Sequence, residues 1–499
     1  MELQFDRTLI SCLQNVVNET QSQELTQEVK LSESMPDVGR VIGAWGQCLL
    51  RSKEWNRGEI CATGGVMAWV LYAPEDGGAV QCVETWLPFQ SKCSFEDAGK
   101  DGALHVRMLL HSVDARSTSA RKLMIRANID MRCAAVVKQD TEVFLPSEVP
   151  QDVQLLTKEY PLRLPKEAGE KSFLLDEELT IPNASQQVDK LIRYELRPEI
   201  VDRKVVAGKA VFRGVAILHI LYTSEGGEIC TWDFDVPFSQ YTDLDGIYDE
   251  DAEVEFSFAV TNLDLEKGES GVLRLKAGII GQYMIYGREV IRIVEDAYSP
   301  IRTVGFCETD LKLPVMLDNF CRTVKMEQPA NIPESRILDI SFQPCKPSLR
   351  RDADSAQIGI SGAFQVLYCD QNGNVQIAAS KADLQHEILL DGACDVSAFV
   401  STSGKPYCSF SSGSALLCSD IILDVHTTAV RGMCMLSGLE LGDTAIPSET
   451  RPSMILRRVG DDTLWDIAKQ TGSTVELIKT TNQIQENPNP ERMLLVPVL

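Results

Sequence analysis

The 499-residue chain has few of the side chains that metal binding and catalysis require, and it has no long apolar run. It contains only five histidines, and its fifteen cysteines include no Cys-x-x-Cys pair. No stretch of eighteen or more apolar residues occurs, so we expect no membrane span. Basic residues number 48 against 72 acidic ones, which gives a net charge of −24. This charge argues against nucleic-acid binding, because phosphate contacts need clustered lysines and arginines.

Sequence motifs of catalytic and metal sites are absent as well. The chain has no Gly-x-Ser-x-Gly, His-Glu-x-x-His or phosphate-binding Gly-Lys-Ser/Thr motif. His105 and His111 lie six residues apart, which is not a metal-ligand spacing, and His219 lies in an apolar run, where we expect a satisfied core residue. Residues 243–246 resemble a calcium loop, but their glycine comes two positions too early, and we interpret them as a solvated acidic turn. We therefore predict no catalytic residue, no metal site and no cofactor.

The N-terminus and the cysteines predict a reducing compartment. The first six residues include two acidic side chains and lack the basic and apolar regions of a secretory signal. The cysteine count is odd and no cysteine spacing repeats along the chain, a pattern typical of free, partly buried thiols. We expect a cytosolic protein that is not secreted.

One stretch of sequence occurs three times and organises the chain. Its clearest copy, residues 208–238, has a β-branched apolar half, a turn with Gly226 and Gly227, and an apolar return. This order predicts a β-hairpin, and glycine suits the turn because positive φ costs it little. The pattern recurs 150 positions upstream, at residues 58–89, and 146 positions downstream, at residues 356–376. Each copy has Leu-Tyr before the turn glycine.

The same phase extends well beyond the hairpins. Ile42, Ile192 and Leu338, for example, hold the same place in the three copies. A period this long indicates a repeated domain rather than a solenoid unit. Short β-rich runs separated by turns predict a mainly β fold in which each domain is a β-sandwich or a partly open barrel. We expect these tandem domains at residues 1–149, 150–299 and 300–448.

Two shorter stretches differ from this β-rich pattern. Leu9, Cys12, Leu13 and Val16 lie at helical spacing, so we expect a short helix within residues 1–20. Residues 446–452 contain Pro447 and Pro452 and predict a linker to the C-terminal segment.

The last segment, residues 453–499, has the pattern of a small separate module. A capping residue among positions 461–463 can begin a helix, and Gly472 suits its C-terminus. Ser473 or Thr474 can cap a second helix that ends at Asn482. Apolar residues before and after the helices predict two pairing strands, so the expected order is strand, helix, helix, strand.

The residues of this module resemble a LysM domain. The resemblance rests on Thr463-Leu464-Trp465-x-Ile467-Ala468, Thr474-Val475-x-Leu477-Ile478, Asn482 and the closing Leu495-Val496-Pro497. It implies a groove that binds N-acetylglucosamine-containing glycans such as peptidoglycan or chitin. Carried over, the glycan- or partner-binding positions are Gly460, Asp461, Asp462, Thr463, Leu464, Asn482, Gln483 and Ile484. We expect Trp465 to belong to the module's core rather than to form a sugar platform.

Two positions depart from the LysM pattern. Asp461 stands where the family usually has glycine, and Pro490-Glu491-Arg492 stands where it has Pro-Gly-Gln. Loss of both glycines changes the backbone's freedom and adds charge beside the groove. Protein binding by the same scaffold therefore stands beside glycan binding as an alternative.

The whole arrangement resembles the SPOCS-domain proteins of endospore-forming Firmicutes. The residues that carry this resemblance are Glu28 and Glu178, Gly64 and Gly214, the in-phase Leu-Tyr pairs, the Pro-Phe pairs and the LysM-like end. It implies a mother-cell protein that helps to anchor the spore coat around the forespore. The implied protein partner is the spore coat morphogenetic ATPase.

Three functions follow from these observations. The first is a non-enzymatic adaptor in spore coat assembly, in which the LysM-like module tethers the ATPase or cortex glycan. The alternative is a peptidoglycan-binding cell-wall protein, against which the missing secretory signal counts. A wall hydrolase is the third, but the three large domains are copies of one another and leave no separate catalytic domain.

Overall fold

The computed structural model of the protein describes residues 2–56, 58–94, 102–182, 187–268, 271–332, 336–390, 392, 394–411, 414–444, 452–485 and 488–499. These residues form 21 β-strands and two short α-helices, so the predicted mainly β fold is confirmed. Neither helix in this described part is long and apolar enough to cross a membrane. The linker predicted at residues 446–452 lies outside the described residues, except for Pro452.

Segment 1, the first third of the chain, forms two three-stranded antiparallel sheets. Its strands are β1 (Phe5–Lys30), β2 (Val38–Asn56), β3 (Glu59–Pro74), β4 (Gln81–Ser94), β5 (Gly102–Ser119) and β6 (Lys122–Pro146). One sheet has the order β2-β3-β4 and the other β1-β6-β5. Buried side chains of both sheets, among them Val66 on β3 and Ile125 on β6, belong to one hydrophobic core.

Segment 2 repeats this arrangement. Its strands are β7 (Gln154–Thr180), β8 (Val188–Val206), β9 (Lys209–Ser224), β10 (Ile229–Asp243), β11 (Glu253–Lys267) and β12 (Val272–Tyr298). They form sheets with the orders β10-β9-β8 and β11-β12-β7.

Segment 3 has the same strand order, except that one strand of its first sheet is divided into two shorter strands. Its strands are β13 (Arg302–Ala330), β14 (Arg336–Pro344), β15 (Ser348–Arg351), β16 (Ser355–Cys369), β17 (Val375–Leu389), β18 (Asp395–Ser411) and β19 (Ser414–Thr444). β14 and β15 both pair with β16, which also pairs with β17, and the second sheet has the order β13-β19-β18.

The three repeated stretches form the hairpins that the sequence predicts. β3 pairs with β4, β9 with β10, and β16 with β17, each in antiparallel register. Gly77, Gly227 and Gly373 hold φ of 74°, 78° and 81° in the three turns. Glycine is needed there because side chains disfavour this left-handed region.

The two Pro-Phe pairs make the same packing contact in their segments, although they lie one position out of phase in the sequence repeat. Phe89 pairs with Gly64 across β3 and β4, and Phe238 pairs with Gly214 across β9 and β10. A Cβ on either glycine would overlap a carbonyl oxygen of the neighbouring strand and the phenylalanine ring. The slip in sequence arises because the turn after Tyr72 is one residue longer than its counterpart in segment 2.

The expectation of a helix within residues 1–20 is wrong. Residues from Phe5 onward form the first part of β1, which pairs with β6 along its whole length. The register shifts between Asn15 and Val17, which marks a β-bulge at Val16. Leu9 is 59% exposed whereas Cys12 and Leu13 are buried, so the residues at helical spacing do not form one buried face.

Equivalent apolar side chains of the three segments meet in shared clusters. One cluster, which we call the axial cluster, joins Ile42, Ile192 and Leu338 with Leu71, Leu221 and Leu367. A second, the ribbon cluster, contains Cys12, Leu162 and Leu313, each of which lies four residues before a bulge in its strand. Equivalent residues can meet in this way only if the segments surround a common axis.

Segment 3 returns to segment 1 and closes the ring. The Leu3 amide donates to the Leu439 carbonyl at 2.9 Å. Farther along the same seam, the Arg40 guanidinium donates to Oε1 of Gln376 at 3.0 Å. The first and last segments therefore contact each other directly, as each also contacts segment 2.

A buried ion network joins the segments near the axial cluster. Arg193 on β8 and Asp339 on β14 are 1% and 4% exposed, and their Nη1 and Oδ2 atoms lie 3.4 Å apart. His219 lies with Nδ1 2.5 Å from Asp233 and with Nε2 3.2 Å from the same Asp339. The ring of Trp45, from segment 1, lies 5.2 Å from the Arg193 guanidinium. All three segments thus contribute to this network.

Candidate functional site

The C-terminal module, residues 452–499, combines a two-stranded sheet with two helices. β20 (Met454–Arg458) pairs with β21 (Met493–Pro497), and α1 (Leu464–Thr471) and α2 (Val475–Asn482) lie between them in the chain. The buried core of the module includes Val459, Leu464, Ile467, Ala468, Ile478, Ile484, Leu494 and Val496.

Thr463 begins α1 through a capping box. Its hydroxyl accepts the Asp466 amide at 3.2 Å, and the Asp466 carboxylate accepts the Thr463 amide at 3.0 Å. The hydrogen bonds from Thr463 lower the pKa of Asp466. Gly472, with φ of 69°, ends the helix in the left-handed conformation. Thr463 therefore serves the helix start at this edge of the predicted groove.

Asn482 and Gln483 end α2. The side-chain nitrogen of Asn482 donates to the carbonyls of Ile478 and Leu495 at 2.9 and 2.6 Å, and its oxygen accepts the Leu495 amide at 2.8 Å. These bonds join the end of α2 to β21, because the Asn482 side chain pairs with the Leu495 backbone as a residue of a neighbouring strand would. Gln483 caps the helix with φ of 54° and is exposed.

The other predicted groove positions differ in their exposure. Leu464 and Ile484 are 4% and 9% exposed and belong to the core of the module. Asp462 forms an ion pair with Arg457. Gly460 and Asp461 are exposed. Of the eight positions, Asp461 and Gln483 thus present exposed side chains that are not needed to build the helices.

Trp465 attaches the module to segment 2. Its Nε1 donates to Oδ2 of Asp296 at 2.7 Å, and its ring meets Tyr298 edge to face with centroids 4.8 Å apart. Lys469 lies 2.7 Å from the same Asp296 carboxylate. The Tyr298 hydroxyl donates to the Ser473 carbonyl at 3.0 Å, and burial raises the pKa of Tyr298. Trp465 is therefore half buried in an interface between the module and the ring.

The outer face of the β20–β21 sheet exposes large apolar side chains. Met454 and Leu456 on β20 are 49% and 62% exposed, and Met493 and Leu495 on β21 are 49% and 43% exposed. Leu456 lies directly opposite Leu495. We call these four residues the outer sheet face. Sequence analysis missed this surface, although apolar residues at consecutive positions of both strands, in place of alternation, were a signal for it.

Two cavities lie on the ring. One of about 530 Å³ is lined by residues that include Arg7, Glu142 and Asp310. The other, of about 600 Å³, lies between segments 1 and 2, where Lys53 is 2.5 Å from Glu170. Burial lowers the pKa of Lys53, and Glu170 acts in the opposite direction. Lys53 and Glu170 therefore pair across the seam between segments 1 and 2.

Potential metal ligands are not clustered in the part of the chain that the structure describes. Within it, no group of three or more His, Cys, Asp or Glu side chains is arranged to hold a metal ion. All fifteen cysteines lie within that part and are free thiols.

Comparison with known protein families gives a match within segment 2. Residues 187–267 match the family model described as "SipL, SPOCS domain". They cover β8, β9, β10 and β11 of segment 2. No curated protein and no solved structure matches the chain. The matched part of segment 2 is therefore similar to a SipL SPOCS domain, which suggests a sporulation-related protein.

Proposed function

We propose that the protein is a non-enzymatic adaptor in endospore envelope assembly, in which the ring carries a protein-binding module. The observation that supports this most is the outer sheet face, on which Leu456 and Leu495 are 62% and 43% exposed side by side. A contiguous exposed apolar surface is typical of a protein contact, because a partner removes it from water.

We also propose that the three segments are SPOCS-like β-sandwich domains at residues 1–149, 150–299 and 300–448. Their support is the strand order that recurs in all three, with two sheets around one core in each. A LysM-type identity for residues 453–499 is supported by the order β20, α1, α2, β21 and by the residues that resemble that family.

The proposed partner is the spore coat morphogenetic ATPase, and the proposed location is the mother-cell cytoplasm at the forespore surface. Both follow from the resemblance to SPOCS-domain proteins of the clostridial SipL type. The segment 2 match supports them, since it suggests a sporulation-related protein.

Recovery of the ATPase by tagged protein from sporulating cells tests the adaptor function. The full chain should recover it, and removal of residues 452–499 should abolish recovery. Leu456→Asp with Leu495→Asp should also abolish it, because charge on the outer sheet face opposes burial. Asp461→Ala with Gln483→Ala is the matched control and should retain recovery. Unchanged recovery after removal of the module would refute the tethering role.

Glycan binding remains the second candidate, favoured by the exposed Asp461 and Gln483 at the predicted groove. Sedimentation of the full chain with insoluble peptidoglycan separates the two functions. We expect the protein to stay in the supernatant at micromolar concentration. Co-sedimentation that Asp461→Ala with Gln483→Ala removes, but Leu456→Asp leaves intact, would favour the glycan-binding protein instead.

A further inference from the structure

The β20–β21 sheet of the C-terminal module has one covered edge and one open edge. At the β21 edge, the Asn482 side chain accepts from the Leu495 amide at 2.8 Å and donates to the Leu495 carbonyl at 2.6 Å. At the β20 edge, no further strand of the described residues pairs with the sheet. The backbone groups along that edge are therefore available to a strand of another protein.

The register of the sheet identifies which residues of β20 face the open edge. Leu456 lies opposite Leu495, whose amide and carbonyl point to Asn482 and so away from β20. Such a pair in an antiparallel sheet has no ladder bonds on either strand, so the amide and carbonyl of Leu456 point to the open edge. The Val459 amide, three positions on, donates to the Arg492 carbonyl at 3.0 Å, which agrees with this alternation.

The residues at the open edge also present their side chains on the outer sheet face. Backbone direction and side-chain face both alternate with a period of two along a strand, so Met454 and Arg458 share the orientation of Leu456. Met454 and Leu456 are 49% and 62% exposed. Unpaired backbone groups and an exposed apolar surface thus lie along the same strand.

We propose that β20 binds an extended segment of the partner protein, which pairs with it as a third strand of the sheet. This inference rests on the proposed adaptor function and specifies how the module holds its partner. The segment has apolar side chains at every second position, which cover Met454 and Leu456, and its main chain bonds to the backbone of Leu456. A helix on the outer sheet face would cover the same side chains but leave the Leu456 amide unpaired.

The charges of the sheet favour an acidic residue within that segment. β20 and β21 contain two arginines and no acidic residue, although the chain as a whole has a net charge of −24. Arg458 lies 2.5 Å from Glu491, but the two side chains are 58% and 80% exposed, so water weakens this pair. A carboxylate opposite Arg458 on the added strand therefore complements the edge.

A second copy of this chain fits the open edge less well. Pairing of two β20 strands places no acidic residue opposite Arg458, and it brings together two chains that each carry a charge of −24. A five-residue edge is also only ~17 Å long. That length is short for the roughly 800 Å² per partner that a stable interface between folded proteins buries. A flexible segment avoids this limit, because it can continue from β20 across the outer sheet face.

Substitutions of Leu456 separate the backbone bond from the side-chain contact. Leu456→Pro removes the amide at the open edge, and the sheet should tolerate proline there because the ladder to β21 does not use that amide. Leu456→Ala is the matched control, since it shortens the side chain and keeps the amide. With the full chain and the purified spore coat morphogenetic ATPase, we expect Leu456→Pro to bind at least about fivefold more weakly than Leu456→Ala. Equal affinities of the two variants would overturn the proposal.

A second pair of variants keeps this comparison valid if Leu456→Pro disturbs the module. Loss of protection of β21 against hydrogen exchange would reveal such a disturbance. Met454→Pro then replaces it, with Met454→Ala as its control, because proline is tolerated at the first residue of a strand. The same difference in affinity is expected, and its absence would overturn the proposal in the same way.

Hydrogen exchange of β20, resolved to single amides, tests the pairing itself. In the free full chain the Leu456 amide should exchange quickly, and the Ile455 and Arg457 amides slowly, because these two belong to the ladder with β21. Addition of the purified ATPase should slow exchange at Leu456 at least about tenfold. Binding that leaves the Leu456 amide in fast exchange would show a contact through side chains alone and would contradict strand addition.

Two further outcomes identify a different error. Slow exchange at Leu456 that depends on the concentration of the chain, without the ATPase, would show that a second copy occupies the edge, and it would overturn the proposed occupant. Absence of any binding by the ATPase would instead refute the adaptor function with this partner, on which the strand addition rests.

Discussion

At the scale of single residues, one position of the repeat has three different side chains. Gly43, Arg193 and Asp339 each follow the same bulge, on β2, β8 and β14. A Cβ at Gly43 would lie 2.7 Å from Ile377 and 2.9 Å from Trp45, so glycine leaves room for these neighbours. Three like charges close to a common axis would repel each other strongly in a buried setting. Divergence to one arginine, one aspartate and one glycine avoids this repulsion.

The first prediction concerns the glycines beneath the Pro-Phe pairs. Gly64→Ala or Gly214→Ala should each lower the free energy of unfolding by roughly 1–3 kcal/mol, because the new Cβ overlaps a fixed carbonyl oxygen and a buried ring. Gly432→Ala is the matched control, since a Cβ there meets nothing within 4 Å. Denaturant unfolding of the full chain measures the difference. Equal stability of all three variants would contradict the close-packing account.

The second prediction concerns the pH dependence of stability at His219. Burial lowers the pKa of His219, but Asp339 and Asp233 outweigh it and raise the pKa to about 9, with Arg193 opposing them. The folded pKa thus lies above the ordinary value of 6.5. The charged imidazole therefore stabilises the fold fully below about pH 6.5, and this contribution is lost as the pH rises through about 9.

Thermal unfolding between pH 7 and pH 10 at constant ionic strength measures this effect. The melting temperature of the wild type should fall over this range, and His219→Gln should fall less steeply. His105→Gln is the control, because burial lowers the pKa of His105 to about 3 and keeps it neutral throughout the range. Parallel pH profiles for the wild type and His219→Gln would argue against the buried imidazolium.

The residues that local patterns specify were predictable, and those that depend on distant partners were not. The turn glycines Gly77 and Gly227 were predictable because a hairpin turn needs positive φ at a position fixed by the flanking strands. The hydrogen bond from Gln343 to the Leu110 carbonyl was not, since it needs the approach of segment 3 to the bulge in β5.

At the scale of elements, bulges determine which side chains face the neighbouring segment. Val16, Lys166 and Leu317 are the residues that leave the pairing of β1, β7 and β13. Before each bulge the strand contributes to the ribbon cluster shared by all three segments. A bulge is defined by the pairing of two strands, so the sequence of one strand alone does not predict it.

The third prediction concerns the attachment of the C-terminal module. Trp465→Ala should release residues 452–499 from segment 2, because it removes the hydrogen bond to Asp296 and the packing on Tyr298. Trp465→Phe should keep part of the packing and give an intermediate result. Hydrogen exchange of the end of β12 reports the release, and Gln470→Ala, an exposed position of α1, is the control. Unchanged protection near Tyr298 in Trp465→Ala would contradict this attachment.

Local capping signals predicted the start and end of α1, because Thr463 and Gly472 act on neighbouring residues. The docking of Trp465 on Asp296 was not predictable, since a tryptophan on a helix is equally compatible with a core, a ligand platform or an interface. The eight groove positions remain a prediction. Several of them form hydrogen bonds within the module or belong to its core. The outer sheet face is therefore the better candidate for a binding surface.

At the scale of the whole molecule, the repeat phase predicts three β-rich units but carries no information on their arrangement. Domains arranged in a line and domains arranged in a ring give the same periodicity in the amino-acid sequence. The difference lies in residues such as Ile42, Ile192 and Leu338, which would be exposed in separate domains and are buried in the axial cluster. The ring also determines what is left for a partner, because these apolar positions are covered by the molecule itself.

Association of separately encoded parts tests the closed ring most directly. Residues 1–149 and residues 150–499 should be co-expressed as two chains, with a tag on the shorter one, and analysed by size-exclusion chromatography with mass measurement. The ring predicts a stable one-to-one complex, because Leu3, Cys12 and Ile42 of the shorter chain pack among residues of the longer one. Two soluble, folded chains that elute separately would contradict it.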